Sequence, residues 1–209
     1  NQTLKYMMKN IQLLICALLM ALPGIMEAQI PHPRETFGHE VGADYKLADY
    51  DQMLEYYDKL AASTERVQMV EIGKSVMGRP IKLFFISSEK NMAQLERWRE
   101  ISEKLSRAEI SEAEARQLAK EGKAIVWFDG GMHATERAHA QMTSELAWRV
   151  AAEESEEMQK IRENVITLIV PVMNPNGLDI VVDWYRKNLG TPFENTSPPI
   201  LYQKYVGHD

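Results

Sequence analysis

The chain has 209 residues, of which 45% are hydrophobic and 26% charged, and its formal net charge is −6. This composition is that of a globular domain and excludes a disordered or fibrous chain. The acidic balance, with no block of basic residues, also excludes a nucleic-acid-binding surface, so we expect no nucleic-acid partner.

Residues 1–28 have the layout of a secretory signal peptide. Lys9 precedes an apolar core from Ile11 to Leu22, and cleavage is expected after Ala28. The core is short for a transmembrane helix. We therefore expect a secreted or periplasmic protein with no stable membrane span after leader removal. Cys16 is the single cysteine, so it cannot form an internal disulfide. The bulky Ile15 before it disfavours lipid attachment.

Residues 29–48 are rich in proline, glycine and histidine and show no periodicity, which predicts an extended N-terminal arm. The two histidines of this arm, His32 and His39, are interpreted as solvated loop residues and not as metal ligands. Residues 49–209 are assigned to one folded domain, because no internal repeat or linker divides them.

Hydrophobic patterns predict the first elements of this domain. Residues 49–60 have a helical face, with Asp49 or Asp51 as the N-cap. Residues 66–89 predict two strands joined by a short loop around Met77 and Gly78. Residues 92–120 are charged and periodic, which predicts two amphipathic helices separated between Ser106 and Ser111.

A continuous apolar run, "AIVWF" at residues 124–128, then predicts a strand that is covered on both faces. A helix from about Glu136 to Ala152 and a charged helix from about Glu153 to Arg162 follow, before a second apolar run, "NVITLIV". Strands that alternate with helices predict an α/β fold. The expected architecture is a doubly wound, mixed but mostly parallel sheet with helices on both faces.

Two residues that can bind a metal follow the first of these strands. His133 and Glu136 come just after a tight Asp-Gly-Gly turn, at the strand end where α/β sheets bind ligands. Their spacing puts an imidazole and a carboxylate on one side of a turn, where both can bind one zinc ion. Alone, the pair also fits a capping glutamate beside a polar histidine. A catalytic zinc takes three protein ligands, so one must come from elsewhere. His139 is interpreted as a non-ligand.

Four segments in order resemble the carboxypeptidase A-like zinc metallopeptidase family: "VWFDGGMHATERAHAQM", "IVPVMNPNGLD", "WYRKN" and "YVGHD". The resemblance covers residues 124–209 and, more weakly, residues 50–88. It implies a zinc carboxypeptidase-like fold, a Zn2+ cofactor, a peptide or protein substrate and hydrolytic release of C-terminal residues. The segment from Asn174 to Gly177 resembles the family's turn beside the active-site cleft.

Specific roles follow from this resemblance. His133 and Glu136 resemble the first two zinc ligands. Arg186 resembles the arginine that polarises the scissile carbonyl and stabilises the oxyanion. Asp209 resembles the aspartate that accepts a hydrogen bond from the zinc-bound histidine. The neighbouring His208 corresponds to a position that does not bind metal.

The family pattern continues with parts that have no counterpart in this sequence. These are an Asn-Arg pair for the substrate carboxylate, a third zinc-ligand histidine, a tyrosine and a general-base glutamate. We therefore expect the N-terminal part of a catalytic domain truncated at its C-terminus, inactive by itself. Two alternatives stay open: a zinc amidohydrolase of the deacylase or desuccinylase type, and a secreted binding protein without catalysis. The cleavage specificity and the oligomeric state do not follow from the sequence.

Overall fold

The computed structural model describes residues 29–198. Its helices and strands, in chain order, are α1 (Pro33–Phe37), α2 (Tyr50–Ser63), β1 (Val67–Lys74), β2 (Pro80–Ile86), α3 (Glu89–Met92), α4 (Leu95–Arg107), α5 (Glu112–Glu121), β3 (Ala124–Asp129), α6 (Arg137–Ala152), α7 (Glu156–Asn164), β4 (Val165–Val170) and α8 (Pro175–Asn188).

Within these residues the strands form one sheet in the order β1-β2-β4-β3. β1 pairs antiparallel with β2, β2 pairs antiparallel with β4, and β4 pairs parallel with β3. The predicted α/β fold with a mixed sheet is confirmed. A mostly parallel sheet was predicted, however, and in the described part of the sheet only one of the three strand pairs is parallel. A short turn joins β1 to β2 and makes them antiparallel, whereas a parallel pair needs a crossover, which α6 and α7 supply between β3 and β4.

Helices cover both faces of the sheet, as predicted. On one face α2, α6 and α8 pack against β2 and β4, where Phe84 and Ile169 are fully buried. On the other face α4 and α5 contribute Trp98 and Leu118, which form a smaller cluster with Ile166. The larger cluster lies between helices and sheet on the side of α6, the helix that begins at the candidate site.

The start of α2 follows the sequence prediction closely. The Asp49 carboxylate accepts a hydrogen bond from the Gln52 amide at 2.9 Å, and the Gln52 side chain accepts one from the Asp49 amide at 3.2 Å. This reciprocal arrangement satisfies two amides that the helix itself leaves unpaired. The predicted break between α4 and α5 is also confirmed, because Ala108 adopts a positive φ and the Ser111 side chain caps α5.

The segment predicted as an extended arm contains α1 and is packed onto the domain. His32 caps α1, its ring centre lies 4.6 Å from that of Trp148, and its Nε2 atom lies 3.4 Å from Glu145. Phe37 and Ala48 are buried. The interpretation of His32 as solvated is therefore wrong: an imidazole has an apolar body that packs against an indole while its nitrogens keep polar partners.

β3 also differs from its prediction. Among the described strands it lies at one edge of the sheet, and Ile125, Val126, Trp127 and Phe128 are 41%, 38%, 48% and 37% exposed. The predicted cover on both faces is thus not seen here. An apolar run contains no information about which elements lie beside it, so the pattern alone cannot separate a covered strand from an edge strand.

Several sequence predictions concern residues outside the described range. These are the leader in residues 1–28, with its Cys16, and the C-terminal His208 and Asp209. In the part of the chain that the structure describes, none of the helices combines the length and apolar character needed to cross a bilayer.

Candidate metal centre

The candidate site lies where β3 and β4 end. The Gly130 amide donates to the Val170 carbonyl at 3.0 Å, and the Gly130 carbonyl accepts from the Met173 amide at 2.8 Å. The Asn174 amide donates to the Gly131 carbonyl at 3.0 Å. These bonds continue the strand pairing into both loops and place the starts of α6 and α8 together. The carboxyl ends of parallel strands are where open α/β sheets bind ligands.

The loop after β3 requires both of its glycines, Gly130 because of close packing and Gly131 because of its backbone conformation. A Cβ atom on Gly130 would lie 2.5 Å from the Pro171 carbonyl oxygen and 2.7 Å from Thr143 Cγ2. Gly131 has a φ of 55°, in the left-handed region that favours glycine. The loop after β3 can therefore lie directly against the loop after β4 and the second turn of α6.

His133 and Glu136 meet just before α6. The imidazole Nδ1 lies 2.7 Å from the carboxylate Oε1, and the His133 amide donates to Oε2 at 3.0 Å. The Glu136 amide donates to the His133 carbonyl at 3.0 Å, so one turn of backbone holds both residues. Their side chains are 40% and 30% exposed. The structure thus brings the two predicted ligands together on one side of the backbone, within reach of solvent ions.

The electrostatics of Glu136 favour its charged form. The hydrogen bond from the His133 amide, and then the contact with the His133 ring, lower the pKa of the Glu136 carboxyl, while partial desolvation opposes the shift. Its carboxylate turns back to His133 and does not cap the first turn of α6. The simple interpretation as a helix-capping glutamate therefore does not describe this geometry. An ionised carboxylate beside an imidazole is a donor set that zinc binds.

The site offers two side chains of the kinds that zinc binds. Within residues 29–198 no group of three or more His, Cys, Asp or Glu side chains is arranged to hold a metal ion. His139 is the next donor along α6; its Nδ1 lies 3.8 Å from Glu136 Oε2, and its side chain is 63% exposed. The donor atoms of His133 and Glu136 fit zinc in kind, and a third ligand must come from outside this pair.

The Asn-Pro-Asn-Gly segment, predicted as a turn, forms the start of α8. The Asn174 side chain accepts a hydrogen bond from the Gly177 amide at 2.9 Å, and Pro175 takes the first helical position, which proline favours. A Cβ atom on Gly177 would lie 2.7 Å from the Ala134 Cβ. The start of α8 therefore packs against the loop that carries His133. The sequence reasoning missed this helix, although Asn followed by Pro is a helix-start signal.

Arg186 lies in the last turn of α8, about 16 Å of helix away from Pro175. Its guanidinium donates to Asp49 Oδ2, to the Leu47 carbonyl and to Gln52 Oε1, each at 2.6 Å. These contacts join Arg186 to the start of α2 and not to the loop that carries His133. Of the three predicted site residues in the described range, His133 and Glu136 therefore lie together before α6, whereas Arg186 contacts the start of α2.

The segment that Arg186 contacts is connected to α6 by a residue that the sequence analysis did not single out. Gln141 is buried on α6, and its Oε1 accepts a hydrogen bond from the Ala48 amide at 3.3 Å. A buried glutamine does not contribute to a hydrophobic pattern in the sequence. Its contact with Ala48, 93 positions away in the chain, is therefore visible only in the structure. Through Ala48 and its neighbours, the end of α8 is held near the first half of α6.

Comparison with known proteins gives one family. The sequence profile of the zinc carboxypeptidase family matches residues 53–196, which include His133, Glu136 and Arg186. A comparison with curated proteins found no match.

Solved structures of carboxypeptidases are similar at low sequence identity. Carboxypeptidase A from Helicoverpa armigera is 18% identical, with a TM-score of 0.48, over 84% of this chain and 36% of that chain. A metallo-carboxypeptidase from Burkholderia cenocepacia is 18% identical, with a TM-score of 0.44, over 63% of this chain and 28% of that one. Bovine thrombin-activatable fibrinolysis inhibitor is 14% identical, with a TM-score of 0.44, over 66% and 34%. The chain therefore spans roughly a third of the length of these proteins.

Proposed function

The chain belongs to the zinc carboxypeptidase family, and on this basis we propose that it is the N-terminal part of a zinc-dependent metallopeptidase that releases C-terminal residues from peptides or proteins. The observation that carries the proposal is the distance of 2.7 Å between His133 Nδ1 and Glu136 Oε1, just beyond the carboxyl end of β3. Both residues lie inside the range that matches the family.

In this proposal His133 and Glu136 hold the zinc ion. When bound, zinc lowers the pKa of its water and polarises the carbonyl of the scissile bond. The His133 amide keeps the Glu136 carboxylate ionised and oriented through the bond at 3.0 Å. Gly130 and Gly131 fix the position of the loop through their bonds to the loop after β4. The remaining ligand and the general base belong to the part of the family pattern that has no counterpart here.

Arg186 and Asp209 have more distant roles in the proposal. Arg186 stabilises the oxyanion that develops on the substrate carbonyl. In the described conformation Asp49 and Gln52 hold its guanidinium, so this role requires the side chain to leave them. Asp209 accepts a hydrogen bond from a zinc-bound histidine and orients it.

We also propose export of the protein. Lys9, the apolar core from Ile11 to Leu22 and Ala28 form a leader that is removed on secretion to the periplasm or the medium. Mass spectrometry of the exported protein is expected to find a new N-terminus near Gln29. An intact leader on a protein retained in the cytoplasm would contradict this expectation.

Activity is tested with two forms of the protein, the 209-residue chain and a natural form that continues beyond Asp209. Each is incubated with zinc and either a peptide with a free C-terminus or an N-acyl amino acid. We expect only the longer form to hydrolyse the peptide, and a chelator to stop it. Hydrolysis of the N-acyl amino acid alone would favour the deacylase type, and binding without turnover by the longer form would favour a non-catalytic protein. Turnover by the 209-residue chain that is lost in His133→Ala would place the complete active site within this chain.

A further inference from the structure

Gln29 becomes the first residue of the chain when the leader is removed after Ala28. A glutamine at the N-terminus carries an α-amino group and a side-chain amide within one residue. Two reacting groups held in one residue meet without the entropy loss of bringing two molecules together. Gln29 is also exposed to solvent. The mature N-terminus therefore carries its own nucleophile and its own leaving group.

On the basis of the proposed export, we propose that Gln29 is a modification site at which the mature chain closes its N-terminus as a pyroglutamyl lactam. The neutral α-amino nitrogen attacks the side-chain Cδ atom. A bond from this nitrogen to Cδ forms, the bond from Cδ to Nε2 breaks, and Nε2 leaves as ammonia with the proton that the amine gives up. The reaction needs no oxidant and no second substrate, and it removes the positive charge of the N-terminus.

The fold anchors the chain just after Gln29. Ile30 packs against the larger hydrophobic cluster, and His32 caps α1 with its ring centre 4.6 Å from that of Trp148. Within residues 29–198 the Gln29 side chain makes no hydrogen bond or ion pair. Ring closure requires rotation about the bonds of Gln29 alone. It can therefore proceed in the folded protein without disturbing the contacts of the residues that follow.

The charges around Gln29 leave its amine able to react. Gln29 borders a groove of about 570 Å³ that is also lined by Glu65, Glu89, Glu154 and Arg66. A nearby carboxylate would favour the protonated amine, which is not a nucleophile. Arg66, however, already binds Glu89 at 3.3 Å and Glu154 at 2.7 Å. Glu65 is exposed, and exposed ion pairs contribute little.

The lactam would protect the segment that packs onto the domain. Proteolysis concentrates at chain termini, and an aminopeptidase needs a free α-amino group to begin. The residues directly after Gln29 include His32, which contacts Trp148, and the buried Phe37. Stepwise removal of residues from Gln29 onward would release these contacts. A closed N-terminus keeps them in place once the protein is outside the cytoplasm.

The proposal is tested on the exported protein, produced from the chain with its leader. Mass spectrometry of the N-terminal peptide should find that it begins at residue 29 and is lighter than the unmodified peptide by one ammonia. Treatment with an aminopeptidase should leave this peptide intact. Gln29→Ala is the matched control, because it keeps the residue before the cleavage site but has no side-chain amide. The control should keep the unmodified mass, and the aminopeptidase should shorten it.

The two ways in which the proposal can fail are distinguishable. A chain that begins at Gln29 and keeps its free amine through several days of incubation would overturn the modification and leave the export intact. A retained leader, or a new N-terminus at another residue, would overturn both the expected cleavage and the modification, because Gln29 would then never carry a free α-amino group.

Discussion

The imidazole of His133 and the carboxylate of Glu136 orient each other across 2.7 Å. The carboxylate binds the ring with one oxygen and the His133 amide with the other, so neither side chain can rotate without breaking a bond. To bind a metal ion together, the two donor atoms must exchange this mutual hydrogen bond for bonds to the ion.

The first prediction concerns zinc binding by the 209-residue chain. With two candidate ligands in the described range, binding should be weak. Both His133→Ala and Glu136→Gln should weaken it further, by at least about tenfold, since even indirect changes around a metal cost that much. His139→Ala is the matched control on the following helix. Isothermal titration with zinc measures each affinity. An effect of His139→Ala as large as that of His133→Ala would show that the ligand set has been assigned incorrectly.

The second prediction concerns the pH dependence of stability at Glu154. Its carboxylate binds Arg66 at 2.7 Å and the buried Arg162 at 2.9 Å. The hydrogen bond from Arg66 is the main cause that lowers the pKa of the Glu154 carboxyl. A lowered pKa in the folded state gives stability that is present above the unfolded pKa, about 4.3, and is lost as the pH falls through the lower folded value.

Glu154→Gln should therefore lower the free energy of unfolding at pH 7, by about 1 kcal/mol or less because the carboxylate is largely exposed. The difference from the natural protein should shrink as the pH falls from 5 to 3. Urea unfolding at several pH values measures this. Glu109→Gln, at an exposed position between α4 and α5, serves as the control. A difference that stays constant with pH would assign the effect to packing and not to charge.

The third prediction concerns Gly130. A methyl group at this position meets the Pro171 carbonyl oxygen and the Thr143 side chain. Because a backbone carbonyl cannot move freely, Gly130→Ala should destabilise the fold by about 1–3 kcal/mol, as overpacking does elsewhere. Gly73→Ala provides the comparison, since its Cβ has nothing within 4 Å. Equal midpoints of urea unfolding for the two variants would be inconsistent with the close approach of the loops.

The fourth prediction separates the two tasks of Asp49, which caps α2 and binds Arg186. Asp49→Ala loses both and should cost about 1–2 kcal/mol, whereas Asp49→Asn keeps a capping oxygen and should cost less. A double-mutant cycle with Arg186→Ala should give a coupling of about 0.2–1 kcal/mol, because the ion pair is partly exposed. If Asp49→Asn proves as harmful as Asp49→Ala, the charge and not the cap is the main contribution.

Local patterns predicted the elements well, because their causes are local. Asp49 and Gln52 form a capping box that four residues encode, and Ser111 marks the start of α5 in the same way. The cover of β3 depends on which elements lie beside the strand, and no pattern within the strand records them. His32 was misread for the same reason, since Trp148 is more than a hundred positions away in the chain.

The site shows the same division between local and distant causes. The meeting of His133 and Glu136 follows from a spacing of three residues, so the sequence was sufficient to predict it. Arg186 was assigned by resemblance alone, and the structure places its side chain against residues 47, 49 and 52, more than 130 positions earlier. No local pattern contains such a contact. The role of Arg186 thus stays a prediction.

The hydrogen bonds between the loops after β3 and β4 have a practical consequence for labelling the protein. Because Gly130 and Gly131 are bonded to Met173 and Asn174, an inserted residue there would displace His133 from its place. The turn between β1 and β2 is different: Val76 and Met77 are 61% and 68% exposed at its tip, at the edge of the sheet opposite β3. A fluorophore or an affinity tag is best attached at this turn, where it does not disturb the candidate metal centre.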